Sequence, residues 1–166
     1  MGLAEKLGRL VRIIPGITGY QDNESARNTD KAVRMKLAEQ LEGIKLDIDK
    51  EKLRRLEAKD LSLLPALDKA ASKISKTANT IKYAARGFSG IFDKPRVDLE
   101  RLEKLSAFDI AMLEDMENLK GLVNNMSASS ADASLLKDAV AKLDSAIDAL
   151  DRKFSSRQEI LSSLER

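Results

Sequence analysis

Carboxylates are the only side chains in this sequence numerous enough to carry acid–base or metal chemistry. Asp144, Asp148 and Asp151 fall in one row at helical spacing, and Glu114, Asp115 and Glu117 cluster upstream of them. The chain contains neither histidine nor cysteine. That removes the commonest general base, the commonest transition-metal ligand, thiolate nucleophiles, zinc ribbons and disulfides. A ferritin-like diiron site would need Glu-x-x-His pairs, which cannot occur here. Gly87-Phe88-Ser89-Gly90 lacks the Lys-Ser/Thr ending of a phosphate loop and the spacing of a nucleophile elbow. Both carboxylate groups lie opposite Leu/Ile seams and read as solvated helix faces. The expectation is a chain that is not an enzyme, with no catalytic residue, no cofactor and no metal ligand.

Spacing that suggests binding occurs at the N-terminus. In residues 2–14, Leu3, Leu7, Leu10, Val11 and Ile14 share one helical face, while Lys6, Arg9 and Arg12 fall mostly on the rest of the surface. A short amphipathic helix with a basic polar face can lie in a membrane interface, or can fold back and cap a bundle. Both readings stay open on sequence alone. Lys6 stands where a myristoylation signal would carry Ser or Thr, so lipidation is not expected.

These residues need elements to hold them, and the elements are helices. Pro15, Gly16 and Gly19 break the first helix, and Tyr20 would anchor the connector. A second helix is expected from about Ser25, capped by Asn23 or Ser25, with Val33, Leu37, Leu41, Ile44, Ile48, Leu53 and Leu56 as its apolar row. The skip after Ile48, near Gly43, predicts a bend or change of face. Asp60 or Ser62 would cap the third helix, with Pro65 in its first turn. Its row is Leu67, Ala71, Ile74, Ala78, Ile81 and Ala85. Lys69, Lys73, Lys76, Lys82 and Arg86 give it a basic strip that reads best as paired with acidic neighbours.

Gly87 would end that helix, with Phe88, Ile91 and Phe92 packing at a corner through Gly90 and Pro95. The fourth helix, from Asp98, has Leu99, Leu102, Leu105, Phe108, Met112, Met116, Leu119 and Val123 as its seam. Met35, Met112, Met116 and Met126 read as core filler. The serine-rich stretch after Asn124 reads as a mobile linker. Ser130, Asp132 or Ser134 would cap the last helix, where Leu136, Val140, Leu143, Ile147, Leu150, Phe154, Leu161 and Leu164 repeat in near-heptad register, interrupted by Arg157.

At 166 residues with 43% hydrophobic and 34% charged side chains, the chain suits a single helical core. A net charge of +2 is too small for the field that nucleic-acid binding needs. No apolar run is long enough to span a bilayer, and the N-terminus lacks the block structure of a signal peptide. The fold class is all-α: an elongated up-down bundle of four long helices plus the short N-terminal amphipathic helix. Residues 1–19 form that helix and its connector, and residues 20–166 the bundle.

Two stretches, IPGITGYQDNESARNTDKAVRMKLAEQL and IKYAARGFSGIFDKPRVDLERLEKLSAFDIAMLEDM, carry a resemblance. The chain resembles an uncharacterised family of small all-helical prokaryotic proteins with an Ile-Pro-Gly, Gly-Tyr opening and a Tyr-Ala, Gly-Phe, Phe-Asp corner. The matching positions are Ile14, Pro15, Gly16, Gly19, Tyr20, Asp30, Arg34, Tyr83, Ala84, Gly87, Phe88, Gly90, Phe92, Asp93, Phe108, Asp109 and Leu113. QDNESARN departs from the family opening, which is richer in Lys-Glu and Arg-Arg. The resemblance implies a loose association with membrane-scaffold systems of the stomatin and flotillin type.

The sequence therefore predicts an intracellular, non-enzymatic scaffold or adaptor. It would dock on a membrane surface or a protein partner through Leu3, Lys6, Leu7, Arg9, Leu10, Val11, Arg12 and Ile14. Its expected location is the cytoplasm, including the inner face of the membrane, and no nucleic-acid partner is expected. The alternative is a cytoplasmic interaction module that forms homo-oligomers through its heptad-like last helix.

Overall fold

The computed structural model describes residues 2–17, 23–84, 99–128 and 132–162. Five helices account for nearly all of them, and no strand occurs among the described residues. They are α1 (Leu3–Ile13), α2 (Asn23–Glu57), α3 (Leu64–Tyr83), α4 (Leu99–Ala128) and α5 (Ala133–Ser162). The short first helix and the four longer ones are as the periodicity predicts. At 35 residues, α2 is about 52 Å long, which sets the length of the rod. Tyr20, the Gly87 stop, and Phe88, Ile91 and Phe92 of the expected corner lie outside the described residues.

The long helices alternate in direction along the chain, but their neighbours in space follow a different order. Helix α2 packs on α3, α3 on α5, α5 on α4, and α4 on α2. Two antiparallel hairpins, α2–α3 and α4–α5, thus lie side by side with α2 parallel to α4 and α3 parallel to α5. The parallel sense of the second pair is fixed by its bonds. Lys69 meets Asp144, Lys73 meets Asp148, and Thr77 donates to Asp151, so both numbers climb together. Charge pairing is consistent with this order, since the α3 lysines meet acids on α5.

Helix α2 corrects the predicted change of face. It is one continuous helix, and Leu53 and Leu56 are exposed rather than seam residues. The buried row runs Asp30, Arg34, Leu37, Leu41, Ile44, Ile48, Glu51, Arg55, keeping the four-three alternation throughout. The skip is a change of chemistry at an unchanged face: charged side chains take the seam positions at both ends. Sequence patterning misses this because it counts only apolar residues.

Ends and caps follow local rules with two departures. Gly16, at φ +90°, turns the chain after α1, and Ile17 returns it to the core. Helix α2 stops in a Schellman motif, with Asp60 N–H donating to the Arg55 carbonyl and Lys59 N–H to Leu56. Lys59 occupies the left-handed position at φ 57°. Asp60 does not cap α3, whose N-cap is Leu63; its carboxylate instead accepts from the backbone and hydroxyl of Ser62. The second departure is in α4, which absorbs residues 124–128 of the predicted linker as helix. Asp132 then caps α5 by accepting from the N–H groups of Ser134 and Leu135.

Candidate functional site

Arg157, the one break in the apolar row of α5, is the centre of the most unusual feature in the core. Its side chain is fully buried. The guanidinium donates from Nε to Asp109 of α4 at 2.7 Å and from Nη2 to Asp30 of α2 at 2.7 Å. Asp30 also accepts from Arg34 one turn further along α2, at 2.9 Å. Arg34 in turn donates to the carbonyls of Ile81 and Lys82 in the last turn of α3. A cation there satisfies terminal carbonyls and complements the negative end of the helix dipole. All four long helices therefore meet in one buried network.

The opposite end of the rod has a smaller counterpart. Glu51 is fully buried and accepts from Arg54, Arg55 and the hydroxyl of Ser127, tying α2 to α4. Arg55 continues to Asp60 beyond the helix end. Between the two clusters the core is apolar, from Val33 to Ile48 on α2 and from Met112 to Val123 on α4. Met112, Met116 and Met126 belong to this core as expected, but Met35 is exposed.

The candidate acid groups are engaged in ion pairs on solvated faces, with Glu114 and Glu117 more than half exposed. Asp144 and Asp148 bind Lys73, and Asp144 also binds Lys69. Lys73, ahead of Lys69, holds the Asp144 carboxyl below its ordinary value of 3.8. Reciprocally Asp144, ahead of Asp148, raises Lys73 above 10.5. Glu114 binds Arg9, Asp115 binds Lys153, and Glu117 binds Lys120. Each of these carboxylates is an acceptor held by a cation, which suits it to fixing helix positions. Among the described residues, no group of three acidic side chains is placed to hold a metal ion.

The predicted docking residues divide by face. Leu10 and Ile14 are buried in the bundle core, and Leu7 packs partly against it. Lys6 binds Glu103 at 3.3 Å and Arg9 binds Glu114 at 2.6 Å, so α1 lies along α4. Val11 and Arg12 face outward. The side chain of Leu3 lies outside the described set. The seam of α5 from Leu136 to Phe154 is buried within the chain, filling its own core. Among the described residues, no helix is long and apolar enough to cross a membrane.

Periodicity identified α1, but the ion network escaped it. The available signal was a charged residue standing where the four-three row demanded an apolar one, at Arg157 and again at Glu51 and Arg55. The chain matches no protein-family model, no curated protein and no solved structure.

Proposed function

We propose that this chain is a non-enzymatic scaffold: a helical rod that carries α1 as a docking arm for an anionic membrane surface. The observation that carries the proposal is the seating of α1. It is held to α4 by Leu10 and Ile14 and by two ion pairs whose acids are substantially exposed, at 43% for Glu103 and 56% for Glu114. An isolated helix of 11 residues is marginal in water, so α1 keeps its shape by lying on something. Leaving α4 exposes Leu10 and Ile14 at about 1.5–3 kcal/mol each, and burial in a lipid interface offsets that cost with the same side chains. Anionic headgroups would then replace Glu103 and Glu114 as partners of Lys6 and Arg9. The non-enzymatic reading is supported by the candidate carboxylates' engagement in ion pairs.

Co-sedimentation with anionic and neutral vesicles across a salt series tests it. The expected result is binding to anionic vesicles only, lost as salt rises and lost in Lys6→Glu/Arg9→Glu. Failure to bind at low salt would make α1 a permanent part of the bundle and end the proposal.

A further inference from the structure

Helix α2 has two apolar faces. One is the core row; the other lies on the opposite side, where Met35, Leu46 and Leu53 are 43%, 59% and 60% exposed. Their spacings of eleven and seven residues return to nearly the same angle on a helix, so the three form one strip along its outermost line. The two faces nearly cancel, which is why the longest helix of the chain is barely amphipathic as a whole. Single apolar side chains on a surface are ordinary, but three on one solvent-facing line give α2 a repeat that a second helix can match.

The charges beside the strip indicate what covers it. On one flank the N-terminal half carries Glu39 and the C-terminal half carries Lys50; the other flank mixes both signs, with Glu42, Lys45 and Asp49. An antiparallel copy of α2, related by a two-fold axis between Ile44 and Lys45, brings Glu39 and Lys50 together. In that register Met35 faces Leu53 of the second copy. Glu39 faces Lys50, and Leu46 comes over Gly43. Gly43 leaves open space for it, since a Cβ built there would have nothing within 4 Å. In antiparallel pairs, residues on the same flank meet, so each contact occurs twice. Lys50 makes an exposed bond within the chain, to Asp47. Such pairs are worth little and exchange readily. Lys36 and Arg54 also share a flank but carry their own partners, Glu39 and Glu51.

We infer that the outer face of α2 is a self-association surface, pairing antiparallel with α2 of a second copy through Met35, Leu46 and Leu53. The strip from Met35 to Leu53 is about 27 Å long. That is a modest interface, so the dimer should form with a dissociation constant of the order of 10 µM. This surface is separate from α1, and the pairing stands or falls independently of membrane docking.

Sedimentation equilibrium of the full chain over a concentration series is the first test. A monomer–dimer equilibrium is expected, and Leu46→Asp should weaken it by about a hundredfold with the melting temperature unchanged. Glu39→Lys and Lys50→Glu should each weaken it, and the double variant should restore it. The chain has no cysteine of its own, so Met35→Cys and Leu53→Cys report register directly. Mixed in a glutathione redox buffer, the two variants should cross-link to each other, while neither alone cross-links to itself. A chain that stays monomeric to about 200 µM, a dimer indifferent to Leu46→Asp, or a Met35→Cys homodimer would each overturn the inference.

Discussion

Arg157 of α5 and Asp109 of α4 meet at 2.7 Å with both side chains sealed from solvent. Neither charge can be removed without leaving the other in a medium that solvates it poorly. Arg157→Met should therefore cost about 3–5 kcal/mol, because Asp30 and Asp109 remain buried with their common cation gone. In Arg157→Met/Asp109→Leu the two losses should fall well short of adding, since the second change removes a charge already stranded by the first. Urea unfolding of the four members of the cycle measures the coupling, and additive losses would mean that the pair acts independently.

Lys59 holds the left-handed turn after α2 at φ 57°. A side chain with a Cβ pays a steric cost there that glycine avoids. Lys59→Gly should raise stability by about 0.5–1 kcal/mol in thermal or urea melts, and a loss would show that the lysine side chain has a compensating contact.

Asp132 is the N-cap of α5, accepting from Ser134 N–H at 2.9 Å and Leu135 N–H at 3.2 Å. Asp132→Ala should cost about 1 kcal/mol, and Asp132→Asn much less, because the amide oxygen can still accept. Hydrogen exchange in the first turn of α5 should accelerate in the alanine variant before the rest of the helix responds.

The pair of Lys73 and Asp144 fixes the sign of two pH effects. The Asp144 carboxyl is lowered below 3.8 by Lys73 and then Lys69, so its contribution is full above that value and fades as pH falls through the lowered one. Lys73 is raised above 10.5 by Asp144 and then Asp148, so its contribution is full below that value and fades as pH rises through the raised one. Both groups are partly solvated, and the effect should stay under about 1 kcal/mol. Lys73→Met should flatten both limbs of the stability profile; an unchanged acid limb would assign it to other carboxylates.

Leu10 is the best-buried residue of α1. Leu10→Ala should release α1 rather than unfold the rod, because the α2–α5 core keeps its own apolar rows. Amide exchange over residues 3–13 should rise by about 30- to 1,000-fold, for a loss of about 2–4 kcal/mol, with α2–α5 protection intact. Global unfolding at the same denaturant concentration would place α1 inside the cooperative unit.

Five helices, the break after α1, Pro65 in the first turn of α3, and most of the core could be read from the sequence, which also offered Asp132 among three candidate caps of α5. Periodicity is a local property, and a strip of Leu and Ile at four-three intervals has few ways to be satisfied except against other helices. Tertiary structure decided the rest. Whether Asp30, Arg34, Asp109 and Arg157 were solvated or buried depended on which helices became neighbours, and no local pattern specifies that. The side-by-side order of the two hairpins, seen in the Lys73–Asp148 and Lys69–Asp144 bonds between residues 75 apart, is a long-range property that no local pattern encodes. The face on which Leu46 and Leu53 would lie was likewise undetermined until the core had claimed the opposite one. Charged side chains can be stabilised by water or by each other, and only the folded chain selects between the two.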